Sequence, residues 1–157
     1  MSETTAPRDI DAEVRAYFET YEERFNEALR SAGPTRAVSD LYADGLLAAH
    51  PEGVDLGQNG PDFEDVLEQG FQYYRIIGTQ GMAVRAVDVT PIDDFHAMAR
   101  VHWRASYTRT SDRMPVDIDF DVVYLLQNLT PDKPAGWRVF VYITGDEQAE
   151  YEKHGIA

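Results

Sequence analysis

The sequence predicts one α+β domain, with helices first and a bent antiparallel sheet after them. Three observations lead there. Up to Gly78 apolar residues recur at steps of three and four, the spacing of a helix face. After Gly81 they alternate, the spacing of a half-buried strand. And no repeat, low-complexity tract or linker divides the 157 residues, a length that suits one domain with its own core.

Residues 1–8 are polar and aperiodic and are expected to form a disordered tail, leaving 9–157 as the domain. From Asp9 a helix is predicted, with Ile10, Val14, Tyr17, Tyr21, Phe25, Ala28 and Leu29 on its buried stripe and Gly33-Pro34 as its stop. A shorter helical piece carries Val38, Leu41 and Tyr42 and ends near Gly45. The stretch "LLAAHPEGVDLGQNGP" reads as loop, with room for a short strand at Leu46–Ala49. A third helix follows Pro61, with Asp62 as its cap, and Gly78 closes it. Its stripe is Phe63, Val66, Leu67, Phe71, Tyr74 and Ile77. Strands follow at Met82–Pro91, Phe95–Arg109, Val116–Gln127 and Trp137–Thr144, separated by "PIDD", "TSDR" and "LTPDKPAG". The segment "DEQAEYEKHG" is a short acidic helix or tail. Laid flat, the Phe95–Arg109 strand would run about 50 Å, too long for so small a domain. The sheet must therefore curl, by twist and bulges, around the helices. A curled sheet with helices in its hollow encloses a funnel-shaped cavity.

Charge and composition exclude several functions. Net charge is −14, from 28 acids against 14 Lys and Arg, so a phosphate backbone or an anionic membrane would be repelled. Neither nucleic acid nor membrane is an expected partner. The absence of cysteine removes disulfides, thiolate zinc sites and thiol catalysis. "MSETTAPRD" has neither a basic n-region nor an apolar h-region, and no apolar run approaches the ~20 residues that span a bilayer. A cytoplasmic location is the expectation.

The segment "RMPVDIDFDVVYLL" places aspartates at 117, 119 and 121, which share one face of a strand. With a tight turn at "TSDR", His102 falls near Asp121 and Arg104 near Asp119, and opposite charges across a ladder stabilise each other. The other face carries Val101, Trp103, Tyr107, Ile118, Phe120, Val122 and Tyr124, so a one-residue slip would set charge against apolar residues. Row neighbours stand ~6.6 Å apart and point in parallel, whereas a calcium or magnesium ion needs converging oxygens. No metal is expected, and nothing implies a cofactor. What remains is a solvated ladder or a polar pocket, because periodicity does not say which face is concave.

The order of elements over residues 10–145 resembles the NTF2-like superfamily, the cone-shaped fold of the SnoaL-like cyclases and ketosteroid isomerase. The local likeness is "LYADGLLAAHPEG", residues 41–53, where Leu41, Tyr42, Ala43, Asp44, Pro51 and Gly53 match the isomerase segment leading to its catalytic loop. The resemblance implies a cone-shaped, strongly curved antiparallel sheet wrapped around the N-terminal helices. The isomerase's proton-moving aspartate is replaced by His50, and its first-helix tyrosine by Phe25. Its protonated aspartate falls at Asp121, which turns the aspartate row into the cone beside His102 and Arg104. The apolar face would then be convex, and Phe120, Val122, Tyr124, Phe140 and Tyr142 would need cover, which a sheet-to-sheet homodimer supplies.

The functional expectation is a partly polar cavity holding a small, mostly apolar molecule, with isomerase, cyclase or lyase chemistry on His50, Asp121, Asp119, His102 and Arg104. Two alternatives stand beside it. One is a non-catalytic ligand-binding or scaffold protein of this fold, and the other is a hydrolase activating water through an Asp/Arg/His cluster.

Overall fold

A computed structural model of the protein describes residues 7–30 and 34–157. The elements run α1 (Ile10–Leu29), α2 (Arg36–Ser39), β1 (Tyr42–His50), β2 (Gly53–Gln58), α3 (Pro61–Ile76), β3 (Thr79–Pro91), β4 (His96–Thr108), β5 (Pro115–Gln127), β6 (Arg138–Ile143) and α4 (Glu147–Lys153). The strands form one curved, unclosed sheet in the order β2-β1-β6-β5-β4-β3, in which every neighbouring pair is antiparallel except β1 with β6.

Helix α1 starts at Asp9, whose carboxylate accepts from Ala12 N at 3.0 Å. It buries Val14, Tyr17, Phe18, Tyr21, Ala28 and Leu29; Phe18 joins the predicted stripe, whereas Phe25 is only half-buried. The expected disorder of residues 1–8 falls mostly outside the described residues. Arg8 is fixed by Glu13, at 2.9 Å from Nε to Oε2, and lies over the Trp137 ring. The stop assigned to Gly33-Pro34 lies partly outside the described residues.

Helix α3 departs from expectation at its cap. Gly60 is the N-cap and Pro61 opens the helix, while Asp62 sits in the first turn and faces the helix dipole instead. Gly78, at φ +90°, ends the turn after α3; its missing Cβ leaves room for the Thr108 carbonyl, and Thr108 N donates to Gly78 O at 2.8 Å.

Two further expectations are corrected between α2 and α3. Tyr42 and "ADG" belong to β1, not to a helix, and "GVDLGQ" is strand β2, not loop. β1 and β2 form a regular hairpin whose register closes at His50 opposite Gly53, with Pro51 and Glu52 in the turn. The glycines and the complete exposure of β2 hide it from pattern reading: an edge strand with nothing packed on it need not carry strong alternation.

Register breaks at Val84/Ala86 in β3 and at Leu125/Leu126 opposite β6 mark bulges, which bend the sheet around α1 as the strand-length argument requires. The core lies in that hollow. Trp103, Val101, Val122, Tyr124, Leu126, Trp137 and Val139 meet Phe18, Tyr21 and Val14 of α1 there.

Candidate functional site

The charged row forms in the predicted register, with His102 opposite Asp121 and Arg104 opposite Asp119. His102 donates from Nδ1 to Asp121 at 2.7 Å and from Nε2 to Asp88 of β3 at 2.8 Å. Arg104 grips Asp119 with both prongs of its fork, at 2.7 and 3.0 Å. Arg100 stands 3.7 Å from Asp121. The hydrogen bonds to Asp88 and then Asp121 raise the His102 pKa, and the bond from Arg104 holds the Asp119 carboxyl below its usual range.

The face, however, is the opposite of the one the resemblance implied. Along β5 the residues between the aspartates are the buried ones: Ile118 at 3%, Val122 at 6% and Tyr124 at 4% exposure. Asp117, Asp119 and Asp121 are exposed on the side away from α1. The physical reason is the cost of burial. Carboxylates and guanidinium groups lose several kcal/mol of hydration in a core, whereas the apolar face gains by meeting α1. Consequently Val122 and Tyr124 need no partner to cover them, and Tyr142 packs at 5.9 Å on the Tyr42 ring inside the hollow.

His50 ends β1 on the inner face. Ala48, two residues earlier, is directly opposite both Asp55 and Tyr142, and Tyr142 is opposite the buried Tyr124. The sheet therefore separates His50 from Asp121, and the expected partnership across the cone does not form. His50 Nε2 meets Asp55 at 2.8 Å, and Glu52 N donates to Nδ1 at 3.3 Å. That pattern fixes the tautomer with the proton on Nε2, and it occupies the one lone pair a general base would use. His102, donating from both nitrogens, likewise has none free.

Polar groups of the hollow itself are phenols. Tyr17 OH donates to Leu41 O at 2.6 Å, Tyr21 OH and Tyr42 OH share a bond of 2.5 Å, and Trp103 Nε1 donates to Tyr124 OH at 3.1 Å. Burial pushes the Tyr21 phenol up to about 12, and Tyr17, Tyr42 and Tyr124 well above their usual value, so all stay protonated near neutrality. Rings fill the space between them: Phe18 lies 4.9 Å from Tyr124, and Tyr21 lies 5.6 Å from Trp103. An open depression of about 500 Å³ lies instead on the outer face, bordered by Arg85, His102, Asp119 and Asp121. Among the described residues no group of three or more acids and histidines is arranged to hold a metal.

Between the charged row and a polar row of His96, Gln127 and Arg138, the outer face is apolar apart from Arg100, which is opposite Val123. Direct cross-strand partners place Met98, Leu125, Val141, Leu47 and Leu56 in one row and Val123, Ile143, Ala49 and Val54 in the next. Leu56 is 81% exposed, Val54 60% and Ile143 45%. Sequence reasoning missed this patch, and missed Asp55, Asp88 and Arg100 as partners of the histidines and the row. The alternation Val54, Leu56 within "GVDLGQ" was the signal for the β2 end of it.

The sequence matches the family model described as "NTF2-like protein (DUF6841)" over residues 12–147. No curated protein matches it. Among solved structures it resembles an NTF2-like protein with a cystatin-like fold from Novosphingobium aromaticivorans, with TM-score 0.63, 15% identity, and 93% of this chain and 87% of that one covered. It also resembles a ketosteroid isomerase-like protein from Erwinia carotovora atroseptica, with TM-score 0.59, 18% identity, and 85% and 93% covered. A candidate calcium/calmodulin dependent protein kinase II association domain from Xanthomonas campestris gives TM-score 0.60, 16% identity, and 92% and 96% covered. At such identities these likenesses show the fold alone. With the family model covering most of its length, the curved sheet wrapped on α1 and the shared fold, the chain belongs to the NTF2-like family DUF6841.

Proposed function

We propose that the protein acts as a self-associating NTF2-like module, a homodimer joined through the outer face of its sheet. The observation that carries this is the double row of Met98, Leu125, Val141, Leu47, Leu56, Val123, Ile143, Ala49 and Val54, an apolar surface free of acids on a chain of net charge −14. Five strands at about 4.8 Å spacing make the longer row about 19 Å wide. A contiguous patch of that extent is the apolar centre of an interface, with Arg100, His102 and the aspartates as its polar rim. A second copy presents the same uncharged patch, so pairing like with like keeps the acidic remainder of both chains apart. The candidate chemistry supports this reading by being closed. His50, His102, Arg104 and Asp119 are occupied by one another or by neighbours, and the hollow is packed with rings. Sedimentation of wild-type protein at micromolar concentration tests it: a dimer mass is expected, and a monomer refutes it.

A second reading keeps the hollow as a binding site for a small, mostly apolar, oxygen-bearing molecule, with isomerase-type proton transfer as its furthest extension. The specific observation in its favour is the set of protonated phenols at Tyr21, Tyr42 and Tyr124, which would donate to a ligand oxygen. Proton transfer at His50 would require the Glu52 N–H to leave Nδ1. Titration of wild-type protein with cyclic ketones, followed at the Tyr and Trp103 resonances, decides it: perturbation confined to the hollow supports ligand binding, and none excludes it.

A further inference from the structure

The open sheet ends in two edge strands, and they are built differently. β3, at one end, is held against α1. Asn26 Oδ1 accepts from Met82 N at 2.8 Å, Asn26 Nδ2 donates to Met82 O at 2.9 Å, and Glu22 accepts from Val84 N at 3.0 Å. Side chains of the helix thereby occupy backbone groups that another strand would need. β2, at the other end, has no such cover, and all six of its residues are exposed. It also carries no proline, lysine or bulge, the devices that commonly guard an open edge.

Register decides which groups β2 offers. Bonded and non-bonded pairs alternate along an antiparallel ladder. Asn59 N donates to Asp44 O at 2.8 Å, so the β2 residues bonded to β1 are Gly57, Asp55 and Gly53. The N–H and C=O of Val54, Leu56 and Gln58 therefore point away from β1, over the edge. The side chains of these three lie on the outer face, Leu56 at 81% exposure and Val54 at 60%. The single charge of the strand is Asp55, on the other face, where His50 holds it at 2.8 Å.

We propose that β2 pairs with the β2 of a second copy, antiparallel, about a two-fold axis at Leu56. The strand is self-complementary in that register alone. Leu56 faces its own copy, Val54 faces Gln58 and Asp55 faces Gly57, with about six backbone bonds between the chains. An axis at Asp55 would set two carboxylates face to face, and an axis at Gly57 would carry Val54 past the end of the opposing strand. The pairing also runs the apolar row from Met98 to Leu56 into the same row of the copy. Strands this short bury well under the ~1,200 Å² of a stable interface, so the contact is weak by itself and forms at hundreds of micromolar. It goes beyond the sheet-face contact and does not depend on it: a wild-type monomer at micromolar concentration would remove that contact and leave this one standing.

The test is sedimentation velocity on Val141→Asp, which removes the sheet-face contact, from micromolar to near-millimolar concentration, with amide hydrogen exchange at both ends of that range. The expected result is a monomer that becomes a dimer near the upper end, with the Val54, Leu56 and Gln58 amides exchanging at least twofold more slowly there. A chain that stays monomeric, or a dimer in which these amides are unchanged, overturns the proposal and leaves the edge without a second copy. Adding Gln58→Pro tests the edge itself. An edge position whose N–H faces solvent accepts proline, and the apolar patch is untouched, yet the bonds that Gln58 N–H would donate are lost and the ring crowds the opposing strand. The dissociation constant should rise at least tenfold, and an unchanged constant overturns the proposal. Should Val141→Asp fail to fold, the same exchange comparison between wild type and Gln58→Pro decides: concentration-dependent slowing confined to wild type supports the pairing, and its absence from wild type overturns it.

Discussion

Replacing Val141 by aspartate separates the stability of the fold from that of the dimer. Val141 stands third of five in the row from Met98 to Leu56, with Leu125 on one side and Leu47 on the other. In the free chain it is half-exposed on the outer face, so the substitution should cost the monomer less than about 1 kcal/mol, a strand-propensity effect. In a two-fold dimer it sits at the centre of the contact. Each copy loses about 1.5 kcal/mol of valine burial and gains a carboxylate between apolar surfaces, at a further cost of about 2 kcal/mol. Symmetry applies both losses twice, for a total near 7 kcal/mol, on the order of a 10⁵-fold rise in the dimer Kd. Sedimentation velocity at micromolar concentration, paired with a thermal melt by circular dichroism, reads the two quantities separately. The expected outcome is monomer mass with nearly wild-type secondary structure. A Val141→Asp protein that sediments as a dimer would refute the assignment of the contact to this face. Val122→Asp serves as the contrast, because Val122 is 6% exposed in the core and its substitution should unfold the chain instead.

Two further outcomes follow from local geometry. His102 has a raised pKa in the folded state, owing to Asp88 and Asp121, so its contribution to stability is fully present below the unfolded value near 6.5 and is lost as pH rises through the folded one. The melting-temperature gap between wild type and His102→Asn should therefore be largest near pH 6 and shrink towards pH 9; a gap independent of pH would contradict the double carboxylate pairing. Gly78→Ala should destabilise by about 2 kcal/mol or more, since φ is +90° and the added Cβ would meet the Thr108 carbonyl. Urea denaturation measures it, and an unchanged midpoint would be inconsistent with that approach.

Local physics made most of the fold readable. The helical stripe of α1, the change of period after Gly81 and the punctuation at Gly78 each follow from the spacing of apolar residues, and β3 to β6 lie within a few residues of expectation. The β4–β5 register was readable as well, because the tight turn at "TSDR" selects, among the alignments that set His102 and Arg104 against aspartates, the one with Asp121 and Asp119. The side of the sheet that meets α1 was not readable from periodicity, which is symmetric between the two faces. Burial cost breaks that symmetry: three aspartates and two arginines cannot line a hollow that Trp103 and Tyr124 fill. The chemistry of the histidines depends on Asp55 and Asp88, which lie on different strands from them, one of those strands being the unrecognised β2.

The bulge in β6 has a consequence for how this surface can change over generations. Val139 is opposite Leu126 and Val141 opposite Leu125, so Phe140 is the extra residue, and it turns Val139 inward while Val141 faces out. Deleting that one residue would restore simple alternation and leave Val139 inward and Val141 outward, whereas deleting a residue beside it while the bulge stays would exchange the faces of everything on one side, changing what β6 shows to the outside without altering any neighbouring strand. A single-codon insertion or deletion is thus a route by which relatives could acquire a different partner, or none, while inheriting the same hollow. Comparing the length of the segment between Trp137 and Thr144 across relatives of known oligomeric state would reveal whether that route has been taken.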